Sequence, residues 1–455
     1  MAAEARREGV ATVDIGELLD EQKLSLYHLG TIVLCLLIII VDAADTGSGN
    51  VSGPAILRAF PADRSVLGWV FASAGFGVFF GSLIFGYIGD RYGRRLGVIL
   101  SVLLYSVPEL CTMFSGSLEQ IMMWRFLTGL GIGGAIPNTI ALLNEAAPKR
   151  FRASFVVIAF LGYATGTALA GLIAAKLNGI YGWYAVFVVV GAAGLVLSAL
   201  LYLRLPESIR FLTVTQPFAP RLRQQAMRVF SDAGIGPATR FIMQHEKSGK
   251  GSLRDLFAGD LKLTTPLLWL SYFFESFTYL GYTAWLTTIM EAQGLTQQQA
   301  AFAFSYAGWG GIVMLLCLAR PLDKVGPLAS VVSASLCVAM LISIGASGLT
   351  VAAYTILATV AHACGSGTHN SLNSTVAMFY PTRIRSNGVG WATAAGRIGG
   401  AVGPLTIGYV FSAKFSLDTV LYVVAGPYLA VIVLNIMLGL IYRRQFAAAP
   451  AVAGE

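Results

Sequence analysis

The chain has 455 residues, 56% of them hydrophobic and only 12% charged, with a formal net charge of +8. A soluble domain carries about 25% charged residues, so the composition excludes an ordinary soluble enzyme. The basic excess sits in turns between apolar runs rather than on one face, which excludes a nucleic-acid surface.

Residues 1–24 read as a cytoplasmic N-terminal segment. Arg6 and Arg7 are followed by Asp14, Glu17, Asp20 and Glu21, not by an apolar core and a cleavage site, so no removable signal is expected. Twelve apolar runs then follow at roughly 25–46, 66–88, 96–114, 120–143, 153–176, 183–204, 264–289, 300–319, 327–346, 350–378, 387–411 and 418–442. Each is long enough to cross ~30 Å of hydrocarbon as a helix. The expected class is all-α integral membrane protein, because a helix satisfies its own backbone in lipid.

The first run contains Asp42 and Asp45, three residues apart and therefore on one helical face. A charge at a bilayer helix centre costs roughly 2.5–3.5 kcal/mol on insertion scales. Such a pair persists if it faces a water-filled path, binds something or takes up protons, so both are candidate proton carriers. Span three holds Glu109 beside Pro108, a weaker candidate of the same kind. Span four holds Arg125 near its start and Glu145 at its end, close to Arg152. Its Gly131-x-Gly133 is no nucleotide loop, because it lies mid-span with no strand before it.

Residues 205–262 are polar and basic and read as a cytoplasmic linker with a short helix or two. They divide six spans (25–204) from six more (263–442), with a cytoplasmic tail at 443–455. Span seven is aromatic, with most rings expected at lipid, interface or core; Tyr279 and Tyr282 are candidates for stacking on a planar substrate. Glu275, an acid inside that apolar span, is a candidate by default. Span ten places His369 and Asn373 one turn apart, where His369 can relay a proton. Span eleven contains Arg397, whose planar, permanently charged fork suits a carboxylate.

Of the 31 Lys and Arg residues, 25 fall on the side that carries both termini and the linker, so the positive-inside rule puts that side in the cytoplasm. The five cysteines lie inside spans without metal-like spacing, and the four histidines are scattered. No metal, cofactor, ATP-binding motif or catalytic constellation is expected, so an enzyme is disfavoured and any transport must draw on an ion gradient.

The two halves repeat. After span two stands Gly86-Tyr-Ile-Gly-Asp90-Arg91-Tyr-Gly93-Arg94-Arg95, and after span eight Ala319-Arg-Pro-Leu-Asp323-Lys324-Val-Gly326-Pro327. The Asp-basic-x-Gly core is kept, which points to duplication of a six-span unit. The first copy matches the signature turn of the major facilitator superfamily, and the chain resembles that family. Asp90, Arg91, Arg94 and Arg95, with Asp323 and Lys324, can then latch one conformation through charge-assisted bonds, and Glu145 and Arg152 can join them as gating groups.

Four further stretches resemble the aromatic acid:proton symporters within that superfamily. They are the Asp-x-x-Asp-Thr of residues 42–46 with Pro54, the segment Arg125 to Arg152, Leu205-Pro206-Glu207-Ser208, and Tyr380-Pro381 through Gly403-Pro404. That family usually has Gly and an aromatic residue between the aspartates, where this chain has Ala43 and Ala44. The resemblance implies two pseudo-symmetric six-helix bundles with alternating access in an inner (plasma) membrane. It implies import of a small, aromatic carboxylate with protons; a monomer is expected, with the lipid bilayer as its surroundings. Arg125, Arg397, Asn373, Glu275, Tyr279 and Tyr282 would meet substrate, with holding the span-one aspartates as the alternative role of Arg125, and Asp42, Asp45 and His369 would carry protons. A proton-driven exporter of amphipathic compounds is the rival reading, and a substrate-binding membrane sensor a more distant one.

Overall fold

The computed structural model describes residues 12–22, 25–230, 239–242, 252–345, 348–381 and 383–447. Among them twelve long helices follow one another: α1 (Leu26–Ala59), α2 (Arg64–Tyr92), α3 (Arg94–Cys111), α4 (Leu118–Ala146), α5 (Arg152–Tyr181) and α6 (Ala185–Arg204), then α7 (Leu261–Ala292), α8 (Gln297–Val325), α9 (Leu328–Ile344), α10 (Val351–Phe379), α11 (Arg385–Ser412) and α12 (Leu417–Ala447). Eight are long and apolar enough to cross a membrane, and α9 is apolar but only 17 residues long. The remaining three, α7, α10 and α11, carry the polar groups Glu275, His369, Asn373 and Arg397.

The twelve expected spans are all present, with one marked extension. α1 runs on past residue 46 to Ala59 and contains Pro54. Asp42 and Asp45 therefore lie in mid-helix rather than at an aqueous end. Of the three places open to the aromatic residues of α7, five take the core: Tyr272, Phe277, Tyr279, Tyr282 and Trp285 are all buried.

The two sets of six pack alike. In the first, α2 lies on α4, α1 on α5, α3 on α4 and on α6, and α1 on α6 and on α4. In the second, α8 lies on α10, α7 on α11, α9 on α10 and on α12, and α7 on α12 and on α10. Every pairing has its counterpart six helices later, which is the structural form of the repeated turn. Small residues permit the close crossings. A Cβ at Gly166 of α5 would run into the Ile40 carbonyl of α1, and one at Gly403 of α11 into the Phe277 carbonyl of α7.

The halves meet through α2 with α11, α5 with α8, and α1 with α7. Gly68 packs on the Pro404 carbonyl and Gly408, Gly171 on Ala301 and Ser305, and Gly308 on Ala168. Thr287 donates to the Asn50 carbonyl at 3.1 Å, and Phe71 meets Trp285 edge-on at 5.5 Å. All these contacts lie toward the face that holds the 60–63 and 293–296 turns, opposite the two ends of the described chain. At the other ends of the same helices, Gly86 of α2 and Gly390 of α11 have open space beside them. These contacts between the halves thus lie toward the far face, and space is open beside α2 and α11 toward the face with the linker.

The linker is more than a loop with a helix or two. Helices Ile209–Thr215 and Pro220–Val229 combine with the N-terminal helix Ile15–Glu21, and Thr12–Asp14 pairs in parallel with Arg240–Ile242. Ile15, Leu19, Ile209, Leu222, Phe230 and Phe241 form a small apolar core of their own. Three-residue strands leave no alternation to read in a sequence.

Candidate functional site

A cavity of about 210 Å³ lies between the halves. The first half contributes Asp42, Thr46, Asn50, Phe71, Arg125, Ile132 and Tyr163; the second contributes Leu280, Ala284, Arg397, Gly400 and Pro404. Its walls are mostly apolar, with a few polar groups converging, as small-ligand sites are built. Two cations and one carboxyl face one space, supplied by helices of opposite halves.

Asp42 is fully buried, and neither of its carboxyl oxygens has a hydrogen-bond partner among the described residues. One turn on, Asp45 meets Arg125: Nη1 lies 3.2 Å from Asp45 Oδ1, and Nη2 donates to the Asp45 carbonyl at 3.4 Å. The same Nη1 lies 2.6 Å from Oε2 of Glu109 on α3. Ser48, one turn beyond Asp45, hydrogen-bonds Glu109 Oε1 and lies 2.6 Å from the Asp45 carbonyl oxygen. Gly49 makes room for the guanidinium, which lies over Phe187 at 6.0 Å. Asp45 and Glu109 thus flank a single fixed cation, with Asp42 one turn away from Asp45, and all four groups are buried. One guanidinium cannot compensate three buried carboxylates, so this arrangement can hold and exchange protons.

Arg397 is half-buried and has no ion pair or hydrogen bond among the described residues. A partly desolvated guanidinium with a free planar fork is poised for a carboxylate from outside the protein.

The other candidates of the second half form a separate cluster, outside the cavity lining. Glu275 Oε2 lies 2.8 Å from His369 Nδ1, and Ser276 donates to the same oxygen at 3.3 Å. Tyr279 stacks on His369 with ring centroids 5.4 Å apart. Tyr272 donates to Asn373 Oδ1 at 2.6 Å, and Asn373 donates to the His369 carbonyl at 3.2 Å. Tyr282 belongs to the apolar core, its hydroxyl unpartnered. Neither tyrosine lines this cavity: Tyr279 lies against His369 and Tyr282 within the apolar core.

On the linker face, Arg94 bridges Asp90 at 2.5 Å and Glu145 at 3.2 Å, joining α2, α3 and α4. Gly93 turns the chain there with φ of 113°, a conformation that favours glycine. Arg95 donates through Nη2 to the Tyr202 carbonyl, and its backbone N–H to Glu207. Burial pushes the Glu207 carboxyl above its ordinary range, opposed by the backbone N–H groups of Arg95 and Ser208. Arg91 is exposed and lies over the Tyr87 and Tyr92 rings, with no ion pair among the described residues. Lys324 is exposed. The side chains of Arg152 and Asp323 lie outside the described residues. On the far face, Arg58 of α1 grips Glu291 of α7 across the seam, at 2.6 and 3.4 Å.

Reading the sequence alone left Glu109 as a minor candidate and missed Ser48 and the Arg58–Glu291 pair. An acid beside a proline in an apolar span was the available signal for Glu109. For the other two there was none, since both are ordinary residues until the helices are packed.

Comparison with known proteins agrees with this architecture. The family model described as Major Facilitator Superfamily matches residues 34–404 and 268–453. The 4-hydroxybenzoate transporter of Pseudomonas aeruginosa is 33% identical over 87% of this chain and 88% of its own. The 3-(3-hydroxy-phenyl)propionate transporter of Escherichia coli is 33% identical over 83% and 86%. Among solved structures, the E. coli xylose transporter in a partially occluded inward-open conformation superposes with a TM-score of 0.68 at 15% identity, covering 95% of this chain and all of its own.

Proposed function

The chain belongs to the major facilitator superfamily, and from that premise we propose that it carries an aromatic carboxylate inward together with protons. The observation that carries the proposal is the pairing of two unsatisfied groups in one cavity. Arg397 has a free guanidinium, and Asp42 has two carboxyl oxygens without partners. Both relatives carry a phenol-bearing acid by name, and this cavity offers the matching chemistry. Arg397 holds the carboxylate, Phe71, Ile132 and Leu280 meet the ring, and Tyr163, Thr46 or Asn50 meets a ring hydroxyl.

The energetics ask for a coupled proton. Moving a monoanion toward a negative interior costs about 2.3 kcal/mol per 100 mV. A co-transported proton cancels that charge, and each unit of pH difference adds about 1.4 kcal/mol of drive. Asp42 and Asp45, backed by Glu109 and Arg125, carry that proton in this account. Arg125 serves chiefly to hold the acids. Glu275 and His369 form an auxiliary proton site, steadied by Tyr279 and Asn373. The linker face is cytoplasmic by its basic residues, residues 25–204 and 263–442 act as the two rocking bodies, and the state described is inward-facing. Arg58–Glu291 latches the far face, while the Asp90, Arg94, Glu145 set, with Arg91, Arg95, Arg152, Asp323 and Lys324, acts when the cytoplasmic face closes.

The test is ligand binding to the purified protein, comparing 4-hydroxybenzoate, benzoate, 4-hydroxybenzamide and hexanoate. The acids with a ring should bind, and Arg397→Gln should abolish that binding. Equal binding of the neutral amide would remove the carboxylate–arginine contact from the account. Preference for hexanoate would remove the aromatic one.

A further inference from the structure

A larger hollow, about 960 Å³, lies away from the transport cavity, on the linker face. Its walls are the start of α1, the α2–α3 turn, the end of α6 and the first two linker helices. It has two kinds of lining. Leu26, Leu29, Gly30 and Val33 form one stripe of α1, continued by Leu203 of α6. Leu26 is 86% exposed and Leu203 74%. Beside Gly30 there is open space, where any side chain would begin to fill the hollow. Above this apolar stripe stand Arg95, Arg204 and Arg221.

Two of those arginines are not spent on acids, while Arg95 lies near Glu207. Arg204 and Arg221 have no ion pair among the described residues, and Arg95 uses one nitrogen on the Tyr202 carbonyl while its buried Nε has no partner. Glu207, the acid in the lining, already accepts the backbone N–H groups of Arg95 and Ser208. The hollow thus sets two arginines without acid partners, at the end of α6 and in the linker, beside an exposed apolar channel along α1 and Leu203. A soluble anion would have no use for the channel, and a neutral lipid none for the arginines.

We infer that this groove binds one anionic phospholipid, its phosphate among Arg95, Arg204 and Arg221 and an acyl chain along Leu26, Leu29, Gly30 and Val33. The bound lipid would tie the linker helices to the first half at the bilayer surface. The site is independent of the substrate proposal and can fail without it.

The test uses delipidated full-length protein in detergent, titrated with short-chain phosphatidylglycerol, short-chain phosphatidylcholine and glycerol 3-phosphate, with bound ligand counted by native mass spectrometry. Phosphatidylglycerol should bind saturably and in preference to the other two. The doubly substituted Arg204→Gln, Arg221→Gln protein should bind it about 25-fold more weakly, about fivefold per arginine. Gly30→Trp, which keeps both arginines and fills the channel, should also lose it while retaining far-ultraviolet circular dichroism and 4-hydroxybenzoate binding. Unchanged binding in either variant would overturn the inference. So would phosphatidylcholine matching phosphatidylglycerol, or glycerol 3-phosphate matching it, which would mark a site for free anions.

Discussion

Removing Arg125 should cost the fold far more than removing either acid it touches. Arg125 contacts both Asp45 and Glu109, and all three side chains are buried. With Arg125→Gln, two carboxyl groups lose their cation, and breaking a buried pair costs about 3–5 kcal/mol. With Glu109→Gln, the guanidinium keeps Asp45, and the new amide still accepts a hydrogen bond, so about 1–1.5 kcal/mol is expected. Residues in one network couple by about 0.5–3 kcal/mol. Adding Glu109→Gln to Arg125→Gln should therefore restore about 1–3 kcal/mol, because it removes a carboxyl left without its cation. The assay is equilibrium unfolding in mixed micelles as the denaturing detergent fraction rises, for the four proteins of the double-mutant cycle. If Arg125→Gln costs under ~1 kcal/mol, or the double variant is additive within ~0.5 kcal/mol, the cluster is not organised around Arg125 and the reasoning fails.

Three other outcomes follow from single contacts. Arg58→Ala should open the far face only modestly: the pair is half-exposed on the arginine side and worth about 1 kcal/mol at most, so spin-label distances between the far ends of α2 and α11 should show no more than about a fivefold shift in population. Gly81→Val should lower the yield of folded protein, since its Cβ would meet the Leu130 backbone, whereas Gly86→Ala, beside open space, should leave melting unchanged. Because burial raises the folded-state pKa of Glu207, the native protein binds more protons there than the unfolded chain, and that contribution to stability grows as pH falls through the raised value toward the ordinary glutamate range. Glu207→Gln should flatten this slope in melts run from neutral pH down to the ordinary glutamate range.

Much of the fold was legible because lipid imposes a simple rule on sequence. Each span must be an apolar run of helical length, and a charge inside one stands out against it. Asp42, Asp45, Arg125, Glu275 and Arg397 were visible for that reason, and the Asp90 and Asp323 turns exposed the duplication. Partnerships were not visible, because they depend on how each helix is rotated about its axis. Periodicity could not decide between a substrate and the span-one aspartates as the partner of Arg125, nor say that Glu109 joins it while Arg397 stays free. Nor could it say that Tyr279 packs on His369 instead of lining the cavity. The end of α1 was misread because Pro54 and the polar residues 46–50 look like a terminus in sequence, yet they are enclosed by helices of both halves. The strand pair of Thr12–Asp14 with Arg240–Ile242 joins segments more than 200 residues apart, beyond the reach of any local pattern.

The most direct test of proton-coupled carriage is uptake of radiolabelled 4-hydroxybenzoate into proteoliposomes under an imposed inward proton gradient, for the native protein and Asp42→Asn. The native protein should accumulate the acid above equilibrium and lose that accumulation with a protonophore. Asp42→Asn should fail to accumulate it while still exchanging external for internal substrate. Native accumulation that survives the protonophore, or gradient-driven accumulation undiminished in Asp42→Asn, would contradict the account.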